Sequence, residues 1–286
     1  MYHIIYNPVA GKKKAFNNLK AVERILTERE VPYEVHKSGG VHDAEYIARK
    51  LTEQGKTEFI VIGGDGTLNE VLNGLKDPSV CKLGLIPSGT GNDFAGKMGI
   101  SQDPEKAILR ILEGEAQPVD YIDVSGTRSM NIAGLGIDVD VLERCQRGRL
   151  KGKIKYLISL IKSLFTFKGY RVKIVSEGKE QIRDVLICAV CNGSVFGGGI
   201  KICSVAEPTD GKLDVVIVDC IGGKLKIVQA FIQLMKGKIL KYPLTTYFQA
   251  ESVEFIPENK CSIQLDGEVY QNHEFKATVC KGLKFY

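Results

Sequence analysis

The stretch VIGGDGTLNEVLNG, residues 61–74, sets Gly63, Gly64 and Gly66 around Asp65 directly after an apolar run. Glycines there let the backbone adopt positive φ and approach a ligand closely, exposing N–H groups beside the positive end of a following helix. That environment suits phosphate, but the bracketed acid would repel a bare anion. A divalent cation between acid and phosphate reconciles the two. Taken alone, GGDG is equally well explained as a tight turn with Thr67 or Asp65 capping the helix.

Two further loops shift the balance toward chemistry. PSGTGNDFAGKMG, 87–99, is again small and hydroxyl-bearing and again places an acid, Asp93, ahead of a helix. NPVAGKKK, 7–14, offers Asn7 and Gly11 at a strand end, with Lys12 to Lys14 available for phosphate charge. It lacks the GxxxxGK[ST] pattern of a P-loop. Later carboxylates sit at Asp-Gly pairs. LDGEVY, 265–270, has alternating apolar residues around Asp-Gly, a strong hairpin-turn signal. EPTDGKLDV, 207–215, reads as a turn before a strand, and NGSVFGGG, 192–199, as a glycine-rich cleft wall or a tight sandwich corner.

The elements that must carry these loops follow from periodicity. HIIY, PYEVH, EFIVI and KLGLIP read as four strands at 3–6, 32–36, 58–62 and 82–87. Between them Leu19, Val22, Ile25 and Leu26, then Ala44, Ile47, Ala48 and Leu51, then Leu68, Val71, Leu72 and Leu75 each mark one helical face. Repeated strand-helix units predict a parallel sheet with flanking helices, whose ligands gather at the carboxyl ends of the strands. From about residue 119 strand-like runs follow one another with few helices between, which predicts an antiparallel β-sandwich. Helical inserts are expected around 141–166 and 223–238. The chain of 286 residues therefore divides into an α/β domain at 1–118 and a sandwich domain at 119–286.

Composition narrows the class. No run approaches the roughly 18 to 20 apolar residues of a spanning helix, and the amino-terminal segment starts directly in a strand, so a cytoplasmic protein is expected. Eight cysteines scattered mostly inside apolar runs suit reduced, buried thiols. Cys188 and Cys191 form a CxxC within a strand-like run, where an odd offset points the two side chains to opposite faces. The formal charge of +5 permits phosphate or membrane contact without requiring either. The densest basic stretch, RCQRGRLKGKIKY at 144–156, reads as a solvated helix face or a lipid-surface patch. No basic-aromatic interleaving suggests nucleic acid.

GGDGTLNEV, preceded by YNPVAGKK and followed by PSGTGNDFA, resembles the lipid kinases of the diacylglycerol kinase catalytic-domain superfamily, especially its compact soluble bacterial members. Sphingosine and ceramide kinases are similar. CNGSVFGGGI, EPTDGKLDV and LDGEVY match the later motifs in order, so the resemblance runs through the chain. GGDGT alone is shared with NAD kinases and phosphofructokinase-like folds.

The resemblance implies an NAD kinase-like α/β domain, a β-sandwich and a catalytic cleft between them, with ATP- and magnesium-dependent phosphorylation of a lipid hydroxyl. Diacylglycerol converted to phosphatidic acid, a step of phospholipid biosynthesis, is the expected reaction. Asn7, Pro8, Val9, Ala10 and Gly11, together with Gly64, Asp65, Gly66, Thr67, Leu68, Asn69 and Glu70, would contact ATP. Thr90, Lys12 and Ser38 would join them. Asp65 and Asp93 would organise the Mg2+ that accompanies ATP, partly through water. Glu268 would be the general base, with Asp266 a second carboxylate nearby. A structural magnesium would use Glu207, Asp210 and the backbone carbonyl of Lys212. Such an enzyme would meet its lipid transiently at a membrane surface, and a homodimer is allowed. Relatives carry a tail that packs back on the first domain after the final strand, where this chain has KGLKFY. An NAD kinase-like enzyme with a soluble substrate and a non-catalytic nucleotide sensor are the competing readings.

Overall fold

The computed structural model describes residues 1–147, 152–197 and 199–286, without the side chains of Lys13, Gln146, Arg147, residues 152–157 and Phe196. Residues 148–151 of the basic stretch at 144–156 thus lie outside the described residues, and within the stretch only Arg144 and Cys145 have described side chains. In the amino-terminal half, strands β1 (Tyr2–Tyr6), β2 (Tyr33–Lys37), β3 (Glu58–Gly63) and β4 (Lys82–Pro87) alternate with helices α1 (Lys14–Glu28), α2 (Asp43–Glu53) and α3 (Asp65–Gly74). Helices α4 (Asp93–Lys97) and α5 (Pro104–Glu113) complete it. All strand pairs here are parallel, in the order β4-β3-β1-β2. Phe59 to Ile62 are fully buried, the continuous apolar run that a central parallel strand covered on both faces requires. Helix α5 begins where a proline at its first turn and the Asp103 carboxylate, accepting from Glu105 N at 2.9 Å, satisfy its open end.

The second half opens with β5 (Gln117–Val124), β6 (Thr127–Ser129) and β7 (Ile132–Gly136), followed by helices α6 (Ile137–Arg147) and α7 (Gly152–Thr166). Then come β8 (Tyr170–Ser176), β9 (Lys179–Cys191), the short β10 (Val195–Phe196) and β11 (Ile200–Lys201), and β12 (Leu213–Asp219). Helix α8 (Gly223–Met235), β13 (Thr245–Ala250), β14 (Ser252–Pro257), β15 (Ile263–Leu265), β16 (Glu268–Tyr270) and β17 (Phe275–Phe285) finish the chain. Pairing in this half is antiparallel, apart from one contact at its end. Alternation sorts the side chains: Leu213, Val215 and Ile217 of β12 point into the sandwich, while Val216 and Val218 face a second apolar layer under α7 and α8. Cys188 and Cys191 divide between those two layers, as an odd offset on β9 demands.

Strand β17 joins the halves. It pairs antiparallel with β14 and β5, and then Lys284 and Phe285 pair parallel with Lys82 and Leu83 of β4. Lys284 N donates to Cys81 O at 3.2 Å and Tyr286 N to Leu83 O at 3.0 Å. The parallel sheet and the sandwich are therefore one continuous sheet of fifteen strands, not two separate ones. The final residues KGLKFY dock as the end of this strand, with Leu283 and Phe285 buried in the core of the first half.

Candidate active site

Three loops leave the carboxyl ends of β1, β3 and β4 and pack backbone against backbone. An added Cβ on Gly64 would stand 2.9 Å from the Cα of Gly89, and one on Gly89 would stand 2.6 Å from the Cα of Gly64. Only two glycines allow the β3 and β4 loops to lie this close. Gly11 does the same for the first loop, where a Cβ would collide with the carbonyl of Ser88, and its φ of 59° is left-handed. The expectation of positive φ at Gly63, Gly64 and Gly66 is not met, since none of the three is among the left-handed residues. Gly64 is extended, at φ −103° and ψ −168°, and its side-chain hydrogen serves close approach. A Cβ on Gly63 would meet Thr67 at 2.5 Å, whereas around Gly66 there is open space on the cleft side.

Asp65 does more than occupy a turn. Its Oδ2 accepts from Asp93 N at 3.1 Å and its Oδ1 from Phe94 N at 3.2 Å, so it closes the amino end of α4 from the neighbouring loop. Asn7 donates to Thr67 Oγ1 at 3.0 Å and accepts from Val9 N at 3.1 Å, which binds the first loop to α3. The other residues that the motif assigns to ATP divide by what their side chains already hold. Leu68 is core, Glu70 accepts from His42 N and Ala44 N at the start of α2, and Ser38 is buried with its N–H on Tyr6 O at 2.9 Å. Pro8 and Ala10 are half-buried beside them, while Val9 and Lys12 are exposed. Gly64, Asp65, Gly66 and Thr90 line an open cleft with Gly91 and Asp93.

The opposite wall of this cleft, about 330 Å3 in volume, is Asn131, Ile132, Gly197, Asp266, Gly267 and Glu268. Asp266 and Gly267 are both left-handed, at φ 49° and 90°, and β15 pairs with β16 across them. The Asp-Gly hairpin turn is real, and it is the device that aims Glu268 at the cleft. Asp266 itself is fully engaged. It accepts from Asn69 Nδ2, Ser129 Oγ and the backbone N–H groups of Met130, Asn131 and Ile132, at 2.7 to 3.0 Å. Burial pushes its carboxyl up to about 6, against the pull of those donors. Glu268, by contrast, is exposed to the cleft.

Two carboxylates, Asp65 and Asp93, thus line the same polar cleft as the glycine loops. Hard oxygen donors beside glycine loops suit a magnesium-bound polyphosphate. Across them stands one solvent-facing carboxylate, Glu268.

Comparison with known proteins agrees along the chain. Residues 1–124 match the diacylglycerol kinase catalytic domain, and residues 131–282 match the YegS C-terminal NAD kinase beta sandwich-like domain. The chain belongs to the diacylglycerol kinase catalytic-domain family. This kinase is 28% identical over 271 residues to a diacylglycerol kinase of Bacillus subtilis, covering 93% of this chain and 88% of that one. A diacylglycerol kinase of Mycobacterium tuberculosis is 26% identical over 255 residues, covering 86% and 82%. The crystal structure of a diacylglycerol kinase from Bacillus anthracis superposes with a TM-score of 0.80 at 25% identity, over 99% of this chain and 96% of that one.

The EPTDGKLDV loop of the kinase is arranged differently from its cleft. Glu207 pairs with Lys97 Nζ at 3.0 Å, and the Asp210 oxygens accept from Lys212 N at 3.0 Å and Gln249 Nε2 at 2.9 Å. Beside it, Asp120 accepts from Gly211 N, and Asp214 accepts from Tyr247 OH while its Oδ2 stays buried without a partner. Burial raises both carboxyls, and Asp210 pushes each further up. An orphaned carboxylate oxygen among mutually repelling acids is a setting that a hard cation would relieve.

Sequence reading named Asn69 as an ATP contact and Asp266 as a second carboxylate but did not find that they anchor the cleft by bonding each other, and it did not single out Asn192. Asn69 and Asp266 lie 197 positions apart, and Asn192 holds the carbonyls of Asp120 and Met130 through one amide group. Asn69 and Asp266 each carry a local motif signal, but nothing in the sequence shows that they meet. NGSVFGGG proves to be both corner and wall: Gly193 leaves room for the Asn131 amide, and Gly197 lines the cleft. A second, apolar cavity lies under α6, α7 and α8, lined by Val141, Leu160, Leu164, Leu186, Ile227 and Leu234 among others. Its one acidic group is Asp138, whose Oδ1 is buried without a hydrogen-bond partner and whose carboxyl burial pushes up to about 6.

Proposed function

We propose that this kinase transfers the γ-phosphoryl group of ATP, in the presence of magnesium, to a lipid hydroxyl, with diacylglycerol as acceptor and phosphatidic acid as product. The observation that carries this reading is the position of Glu268 across one cleft from Asp65, Asp93, Thr90 and the paired glycines. Phosphoryl transfer asks the protein mainly for position and charge neutralisation, plus a group to take the alcohol's proton. In this reading the loop N–H groups hold the triphosphate, and Asp65 and Asp93 would hold the magnesium, which would supply charge neutralisation. The acceptor oxygen forms its bond to γ-phosphorus as the bond to the bridging oxygen breaks. ADP departs with that oxygen, and the hydroxyl proton passes to the Glu268 carboxylate.

A lipid acceptor is supported by the family's named relatives and by the apolar cavity under α6, α7 and α8. No helix among the described residues is long and apolar enough to cross a membrane, so the enzyme would reach its lipid from the surface. The test is ATP and magnesium with diacylglycerol, phosphatidylglycerol, a sphingoid base and an isoprenoid alcohol in mixed micelles, with NAD as a soluble control. Phosphatidic acid as the main product is expected. Phosphorylation of NAD alone, or ATP binding without any product, would overturn the reading.

A further inference from the structure

His3, Glu34 and His36 stand together at the base of β1 and β2, four residues along β1 from the Asn7 loop. Parallel register sets His3 against Glu34 and Ile5 against His36, and the period of two in a strand puts all three side chains on one face. His3 Nδ1 lies 3.2 Å from His36 Nε2 and 3.5 Å from Glu34 Oε2, and His36 Nε2 lies 3.7 Å from the same oxygen. Among the described residues this is the cluster of His, Cys, Asp and Glu whose ligand atoms converge closely enough for one ion.

We propose that these three residues bind a transition-metal ion of the zinc class. A hydrogen bond between the imidazoles explains the shortest side of the triangle. It does not explain a carboxylate oxygen held about equally far from both rings. Bonds of about 2.0 to 2.1 Å at tetrahedral angles separate ligand atoms by roughly 3.3 Å, close to all three sides observed. Two imidazoles and one carboxylate select zinc, cobalt or nickel over magnesium, which prefers oxygen alone. His3 is buried and His36 half-buried, while Glu34 is exposed, so an ion enters from the Glu34 side and keeps a position for water.

The ion would act as a clip. Strand β2 is the edge of the fifteen-stranded sheet, with a partner only in β1, and edge strands are the readily frayed ones. Two ligands from β2 and one from β1 would join the strands across that single ladder. Strand β2 runs directly into Ser38, whose N–H holds Tyr6 O beside the Asn7 loop. Metal occupancy would therefore steady one flank of the cleft without touching the reacting groups.

The test uses the full chain stripped by chelator and kept reduced, with magnesium in excess. Cobalt chloride is titrated in and followed by visible absorption, then displaced by zinc chloride, alongside thermal melts with and without zinc. One equivalent of cobalt giving tetrahedral bands, without the thiolate charge-transfer absorption of cysteine ligands, is expected. Zinc should raise the melting temperature of the wild type. Glu34→Gln and His36→Gln, both at accessible positions, should weaken cobalt and zinc binding on the order of a hundredfold and abolish the zinc-dependent rise. Their circular dichroism without metal should match the wild type. No stoichiometric binding by the wild type, or binding unchanged in both folded variants, would overturn the proposal.

Discussion

The Asn69 side chain donates to Asp266 Oδ2 at 3.0 Å, so a helix of the nucleotide-side half holds the turn that presents Glu268 from the other half. Asn69 is in the first turns of α3, immediately behind the GGDG loop. Asp266 is the first residue of the Asp-Gly turn. Together with the bonds between Asn73 and Arg128, this contact fixes the distance between the loops that would hold ATP and the carboxylate that would take the proton. Four further donors from 129–132 lock the same carboxylate, leaving it a positioning residue.

Asp266→Asn should therefore damage stability and activity together. Five donors point at two oxygens, and an amide nitrogen can accept from none of them. Each orphaned buried donor costs roughly 1 to 3 kcal/mol. A loss of about 3 kcal/mol is expected after partial relaxation, read as a lower urea midpoint with an unchanged slope. Asn69→Ala should cost less, about 1 kcal/mol, because Met130 N still satisfies Oδ2. Both variants should lower kcat more than they weaken nucleotide binding.

Glu268→Gln should separate chemistry from binding. Glu268 has no role in the core and faces the cleft, so the variant should fold and melt as the wild type does. Loss of a general base lowers turnover by roughly 10² to 10⁴. Equilibrium binding of ATP with magnesium should be unchanged within about twofold, a margin of roughly 0.4 kcal/mol. Turnover equal to wild type would remove Glu268 from the mechanism.

The parallel sheet was legible in the sequence because each strand and helix there carries its own period. FIVI, 59–62, is apolar throughout, and the stripes from Leu19 and Leu68 are simple helical spacings. The turn at Asp266 was legible for the same local reason. What that turn does was not, because its partner Asn69 is brought near only by the completed sheet. The conformation of GGDG was misjudged on similar grounds: Gly64 answers the backbone of Gly89, twenty-five positions away, and Gly63 the side chain of Thr67, rather than a φ requirement of their own. The histidine cluster was equally silent, since β1 and β2 meet through a parallel crossover that sequence spacing does not show.

Gly89→Ala and Gly66→Ala make a controlled pair. At Gly89 the methyl would stand 2.6 Å from Gly64 Cα and 2.8 Å from Asn92 Oδ1, so the two loops must separate. Overpacking of this kind costs about 1 to 3 kcal/mol, and nucleotide affinity should fall with it. At Gly66 nothing lies within 4 Å, so stability should be unchanged within about 0.5 kcal/mol. Its methyl would enter the cleft, and only nucleotide affinity should fall. Thermal melts with and without ATP distinguish the two.

Asp138 gives a pH prediction whose sign can be worked through. Burial raises its carboxyl from the usual 3.8 to about 6, so the folded chain holds a proton there that the unfolded chain has released. Between pH 4 and 6 the folded state binds more protons at this site, and the stability it contributes falls as pH rises. That contribution is fully present below pH 4 and lost above 6. Asp138→Asn, which mimics the protonated form, should keep it at all pH values. Chemical denaturation across pH 4 to 8 should show the variant gaining on the wild type as pH rises, with the difference levelling off above 6. A constant difference would place the Asp138 carboxyl at its ordinary value.

The last strand makes the final prediction, because β17 serves both halves. Phe285 is 1% exposed and stacks edge-on against Phe94 at 5.3 Å, and its backbone continues β17 beside β4. Tyr286 OH reaches Glu58 Oε2 at 3.2 Å and closes the same seam. Truncating a buried phenylalanine to alanine costs about 3 to 5 kcal/mol. Here the loss falls on the element that couples the parallel sheet to the sandwich, since Phe275 and Ala277 of the same strand lie in the sandwich core. Phe285→Ala should therefore lower the melting temperature and also split a single calorimetric transition into two. Phe255→Ala, a deletion of similar size confined to the sandwich core, should lower the temperature of one transition without splitting it. A single cooperative transition in the Phe285 variant would show that the halves are coupled chiefly elsewhere, through Asn69 and Asp266.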